Sequence, residues 1–338
     1  MKLFAELHVH TPHGSLLDSI ADIPNLIKKA KEYNYSAIAV TDHGKMHSVI
    51  NFYKECKKQD IKPILGIEIY ECDDIKVQDD TRYHLVLLAV SNEGLKNLNI
   101  ISSISHIDGF YFKPRVDLNT IKKYSKDIVA LSGCMAGRIS RLLMQDEYDS
   151  AKEWLLKYQD TFEYFYLEMQ NHDIEDSISL NKKLLQLSQE TNTPFVLTDD
   201  IHFVNKEDIE AHSIFVQISQ DRDVGESYTD CHMKSVDEIH LIMDSQIGYD
   251  NVCLGIKNTK RISDMCNVEI DLKMPNQMPE IKIPQGYKNI TEYYKHLVNN
   301  GWIKREINKL PIEQQKVIKN RLLKEYDTLD YLSYIDYF

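Results

Sequence analysis

A short β-prone run bordered by a side chain able to bind metal recurs along this chain, and that repetition limits its fold more than any other feature. Residues 2–9 read as a strand closing on His8, Val9 and His10. Residues 36–40 run into Thr41, Asp42, His43 and Gly44, and residues 62–65 lead through Gly66 and Ile67 to Glu68. His84 opens the run 85–90, residues 128–131 enter Ser132, Gly133 and Cys134, and residues 195–197 enter Thr198, Asp199, Asp200, Ile201 and His202. With Asp18 added, His8, His10, His43, Glu68, His84, Cys134, Asp200 and His202 form a dispersed set whose members fall mainly at strand ends.

Helical periodicity fills the intervals, as in Ile23, Leu26, Ile27 and Ala30, in Val49, Phe52, Tyr53 and Cys56, and in Leu180, Leu184 and Leu187. Strand alternating with helix predicts an α/β fold on a parallel sheet. In a TIM-like barrel the functional residues of such a sheet collect at its C-terminal strand ends. A β/α barrel of fewer or irregular strands fits the roughly 200 residues that the pattern occupies. An open doubly wound sheet would place a ligand at one switch point instead of drawing residues from many strands.

Residues two apart on a strand share a face, so His8 and His10 together suit one divalent ion. The mixture of imidazoles, carboxylates and one thiol suits Zn, Mn or Fe and is too rich in nitrogen for Mg or Ca. Ions held this way activate water near neutral pH, polarise a phosphoryl oxygen and stabilise a departing one. Hydrolysis of a phosphate ester is therefore expected, with no serine or cysteine nucleophile. Each ligand also has a plainer reading: His43 as a turn cap, Glu68 as a surface carboxylate, His84 as a satisfied histidine, and Cys134 as a small buried apolar residue.

The segments His8-Val9-His10-Thr11, Thr41-Asp42-His43-Gly44, Gly66-Ile67-Glu68 and Asp200-Ile201-His202 resemble motifs of the PHP (polymerase and histidinol phosphatase) family. Segments 109–115, 166–172 and 265–268 make the sequence more similar still to the N-terminal region of bacterial DNA polymerase III alpha subunits, over nearly the whole chain. The resemblance implies a distorted (β/α)7 TIM-like barrel, the PHP fold, with a trinuclear centre. It implies one ion on His8, His10, Glu68 and Asp200, a second shared by Glu68 with His84 and Cys134, and a third on Asp18, His43 and His202. His10, Glu68 and Asp200 are the implied catalytic residues. The stretch 11–18 looks one residue longer than the family spacing, which makes His13 a conceivable substitute for Asp18. Lys113 and Arg115 are candidates to meet phosphates, or else a solvated charged pair.

A net charge of -12 and a pI near 5.5 leave no basic footprint for autonomous nucleic-acid binding, so any DNA contact must be local and metal-assisted or come from a partner. The six cysteines include no CxxC pair, so neither a disulfide framework nor a zinc ribbon is indicated. Residues 1–4 enter the first strand without a signal peptide, and no apolar stretch has membrane length, so the expectation is a cytoplasmic protein with no membrane partner.

The expected domains are a phosphoesterase barrel over 1–273, a linker over 274–289 carrying Pro275, Pro279 and Pro284, and a helical segment over 290–338. That segment reads as helices over 290–307 and 313–338, and it resembles the entry to a polymerase palm and thumb; polymerisation is not expected from this chain alone. The resemblance implies a metal-dependent 3′–5′ exonuclease holding two or three divalent ions. It would trim a DNA 3′ terminus and proofread beside a polymerase core or replisome subunits. The alternatives are a histidinol-phosphate-type phosphatase, a non-catalytic module stabilised by metal, and, more distantly, an amidohydrolase barrel.

Overall fold

The computed structural model describes residues 3–220, 229–274 and 281–338, and its contacts separate two compact units, Met1–Ile270 and Asp271–Phe338. In the first unit the strands are β1 (Ala5–Glu6), β2 (Ala37–Val40), β3 (Lys62–Cys72), β4 (Tyr83–Ala89), β5 (Phe110–Tyr111), β6 (Lys113–Asp117), β7 (Ile128–Leu131), β8 (Tyr164–Gln170) and β9 (Phe195–Thr198). The sheet runs β1-β2-β3-β4-β7-β8-β9, with β6 added to β3 and β5 to β6. Beyond β9, Ile201 bridges Val9, donating to the His8 carbonyl at 3.0 Å and accepting from the His10 amide at 2.9 Å. These bonds close seven strands into a distorted barrel.

Alternation along the strands separates two cores. Ala37, Ala39, Ile64, Val86, Leu88, Val129, Leu131 and Val196 pack together inside the barrel, while Ile38, Val40, Leu65, Leu87 and Leu197 face out toward the helices. Burial on both faces is what a barrel wrapped in helices requires. The outer layer includes α1 (Ile23–Glu32), α2 (Val49–Gln59), α3 (Asn92–Ile107), α4 (Leu118–Lys122), α5 (Arg138–Met144), α6 (Tyr148–Thr161), α7 (Glu175–Thr191), α8 (Ile209–Gln220), α9 (Val236–Ile247) and α10 (Tyr249–Met265). In α1, α2 and α7 the buried residues include those whose spacing predicts the helix. From α10, Ile262 and Cys266 join the inner core, and Thr259 accepts the Ala5 amide at 3.1 Å.

Two expectations need correction. The sheet is not uniformly parallel: β4 runs antiparallel to both β3 and β7, and no helix separates it from β3. The first strand does not continue through residue 9, since its ladder covers only Ala5 and Glu6. At Leu7 and His8 the chain leaves the ladder, and the Glu6 carboxylate accepts their two amides at 3.0 and 2.9 Å. That satisfies the buried donors the break creates, and it lets Leu7 enter the inner core while the adjacent His8 enters the site.

The second unit contains α11 (Ile290–Lys304) and α12 (Ile312–Tyr331), both shorter than their sequence expectations and without a buried residue in either. Pro275 and Pro279 of the expected linker lie outside the described residues. Among the described residues no helix is long and apolar enough to cross a membrane, and all six cysteines are free thiols.

Candidate metal centre

The C-terminal ends of the parallel strands gather the expected ligands. His8 Nε2 lies 3.3 Å from both Glu68 Oε1 and Asp200 Oδ1, and His10 Nε2 lies 3.2 Å from Asp200 Oδ1 and 3.6 Å from Glu68 Oε2. Glu68 also meets His43 Nδ1 at 2.6 Å and His84 Nδ1 at 3.0 Å. It therefore stands between two sets of imidazoles. Its side chain reaches this position because Glu68 shares a strand face with Ile64, which is in the inner core. Although His84 opens its strand, the reversal of β4 brings that beginning to the end of the barrel where its neighbours finish.

Among the described residues, three overlapping groups have members whose potential ligand atoms lie within 4.8 Å of one another: His8, His10 and Asp200; His10, His43 and His202; and His43, Glu68 and His84. His10 and His43 each join two groups, a tighter interleaving than the partition implied by the resemblance. Asp18 reaches His43 Nε2 at 2.7 Å and His202 Nε2 at 3.5 Å, so the longer 11–18 segment still delivers it. Leu17 takes the left-handed region (φ 65°) in that segment, and His13 is exposed. Cys134 Sγ lies 3.4 Å from His84 Nδ1 and 3.8 Å from Glu68 Oε1, beside the three groups but outside them.

The side chains that aim these ligands are ones the sequence reading left without roles. Glu168 Oε1 lies 2.6 Å from His8 Nδ1 and accepts the Thr198 hydroxyl at 2.6 Å. Ser15 bonds His10 Nδ1 at 2.8 Å and donates to Asp42 at 2.9 Å. Asp42 also accepts Thr11 N at 2.6 Å and Ser15 N at 3.1 Å, and the Ser48 hydroxyl. Gly14 packs against it so closely that a Cβ there would lie 2.2 Å from Asp42 Oδ2. Gln170 donates to Asp200 Oδ2 at 2.8 Å, leaving Oδ1 turned toward the imidazoles. Glu168 and Gln170 alternate at the end of a strand just as His8 and His10 do in sequence, and that was the available signal.

The donor set fits divalent metal. His8 Nε2, His10 Nε2, Glu68 Oε2 and Asp200 Oδ1 are buried, converge, and make no hydrogen bond of good geometry, an arrangement that is costly unless a cation lies among them. Burial, aided by His43 and His202, lowers His10 to about 3, keeping it neutral. Burial raises Glu68 and Asp200, but the surrounding imidazoles more than offset it and hold both well below the usual carboxylate range. Burial opposes the charge on His8 and His43, yet nearby acidic groups, Asp200 at His8 and Glu68 at His43 among them, raise both. Protons there occupy the role that metal would take. Burial raises the Cys134 thiol, so only a cation would make it a thiolate ligand.

The two candidate phosphate contacts separate. Lys113 Nζ stands 5.6 Å over the Tyr70 ring, which stacks on His43 at 5.9 Å, so it borders the centre. Arg115 does not. It is fully enclosed and donates to the carbonyls of Asp79 at 2.7 Å, Val77 at 2.9 Å and Gly109 at 3.4 Å. Its guanidinium therefore ties down the segment between β3 and β4 and is not available to a substrate.

The PHP domain family model matches residues 6–172. Those residues are a PHP domain. Sequence similarity extends past the PHP domain to nearly the whole chain. The DNA polymerase III subunit alpha of Borreliella burgdorferi is 37% identical over 88% of this chain, those of Helicobacter pylori 30% over 99%, and that of Aquifex aeolicus 29% over 100%. This chain spans only 26% to 30% of those relatives' lengths. A solved amidohydrolase from Chromobacterium violaceum aligns with 59% of this chain and 87% of its own at 12% identity and a TM-score of 0.39, too distant a likeness to compare chemistry. The match ends at residue 172, which leaves Asp200 and His202 outside the matched segment, although β9 leads them into the same centre.

Proposed function

We propose that this chain is a metal-dependent phosphodiesterase that removes nucleotides from a DNA 3′ terminus. The observation that carries the reading is the convergence of His8, His10, Glu68 and Asp200 through buried atoms that crowd within ion-pair distance yet make no hydrogen bond of good geometry. His8, His10, Glu68 and Asp200 would hold one ion, His84 and Cys134 would share Glu68 for a second, and Asp18, His43 and His202 would hold a third. When bound, Zn, Mn or Fe would supply Lewis acidity toward a phosphoryl oxygen and an attacking water.

The chain's own groups orient the rest. Glu168 and Ser15 engage the Nδ1 atoms of His8 and His10, so each Nε2 faces inward and would offer its lone pair to a bound ion. Partial exposure of Asp18, His43 and His84 marks the open side for substrate entry, and Lys113 on that side is suited to a phosphate oxygen. Similarity to polymerase subunits favours a DNA end over a small phosphomonoester and a replisome as the working context.

The test is hydrolysis of single-stranded and mismatched-primer DNA by the Mn-loaded chain beside His10→Ala and Asp200→Ala. The reading predicts shortening from the 3′ end that both variants lack. Metal binding at the expected stoichiometry with no cleavage of DNA or of a phosphomonoester would instead favour a structural module.

A further inference from the structure

We infer that the hairpin formed by β5 and β6 is a stacking ledge for the bases of single-stranded nucleic acid, with Lys113 meeting its phosphates. This rests on the proposed phosphodiesterase and adds where the strand lies.

The hairpin pairs Phe110 with Pro114 and Tyr111 with Lys113, which puts Phe112 at its tip. Phe112 is 73% exposed and Phe110 59%, an unusual display of aromatic surface on a short hairpin. Phe112 also adopts φ 56°, a conformation unfavourable for a bulky side chain, and its ring meets Tyr111 edge-on at 4.6 Å. The hairpin is seated firmly: a Cβ at Gly44 would lie 2.7 Å from the Pro114 ring, and one at Gly109 would lie 1.9 Å from the Arg115 carbonyl.

The ledge is continuous with the centre. Lys113 follows Phe112 directly and covers Tyr70, whose ring packs on both His43 and His84. A chain of net charge -12 thus sets a lysine on the rim between the exposed rings and the centre. Exposed aromatic rings on which bases stack, next to a cation that meets the backbone, are the means by which proteins hold single strands without reading sequence. An apolar protein partner would use the rings but not the Lys113 ammonium.

The test compares the full Mn-loaded chain with Phe112→Leu, Phe112→Tyr and Lys113→Ala. Binding is read by fluorescence anisotropy with a phosphorothioate oligothymidylate, and kcat/KM is measured on oligothymidylate and on bis(4-nitrophenyl) phosphate. Phe112→Leu should weaken oligonucleotide binding roughly tenfold and lower the oligonucleotide-to-small-diester kcat/KM ratio by a similar factor. Phe112→Tyr should restore both, and Lys113→Ala should flatten the salt dependence of binding. Parental binding by Phe112→Leu, an unchanged ratio, or no oligonucleotide binding by the parent would overturn the ledge. Failure of the parent to cut either substrate would instead sink the phosphodiesterase reading, while the binding comparison still decides the ledge.

Discussion

Glu168 Oε1 lies 2.6 Å from His8 Nδ1, deep inside the barrel, and also accepts the Thr198 hydroxyl. A carboxylate on β8 thereby orients a candidate ligand beyond β1. Such support ordinarily accounts for about 10- to 100-fold in metal affinity. Glu168→Gln should therefore bind Mn or Zn that much more weakly in a chelator competition, and parental affinity would show that His8 needs no such partner.

Chelation should destabilise the first unit. Ions that bind only the folded centre contribute about 2.7 kcal/mol at a hundredfold excess over Kd, so Tm should rise with added metal and fall with EDTA. A Tm insensitive to both would mean that the cluster does not hold metal in the folded chain.

Arg138 is buried between the Tyr83 and Trp154 rings, 3.8 Å from each, and pairs with Glu71 at 3.0 Å and Asp73 at 2.6 Å. Tyr158 also donates to Glu71, which has no exposed surface. Arg138→Leu would strand the Glu71 charge, at a cost of about 3–5 kcal/mol in urea unfolding. Adding Glu71→Leu should recover much of the loss; no recovery would show that ring packing, not charge, dominates.

His172 should make folding acid-sensitive. Burial first, then the Lys234 ammonium, lowers its imidazole to about 4. With the folded value depressed below the ordinary 6.5, the unfolded chain takes up a proton first as pH falls. Its contribution is full above about pH 6.5 and declines by about 3 kcal/mol toward pH 4. Unfolding free energies at a series of pH values should show a shallower acid decline for His172→Asn; an equal decline would assign the sensitivity to other groups.

The sequence by itself determined the strand-and-helix rhythm, because alternating and helical periodicities are local. It also marked nine candidate ligands, because most of them follow strands whose parallel order carries their ends to one rim. Only the tertiary structure decided how they are held. The reversal of β4, which makes His84 a rim residue, follows from pairing with β3 and β7. The break at Leu7 and His8 depends on a carboxylate folding back onto its own backbone. Lys113 and Arg115, two residues apart, look alike as a string. One borders the centre while the other is buried under the segment between β3 and β4, because packing of a nonlocal loop determines which cation meets solvent. Glu168 acts on His8 across 160 positions, a relationship that closure of the barrel creates and local sequence cannot display.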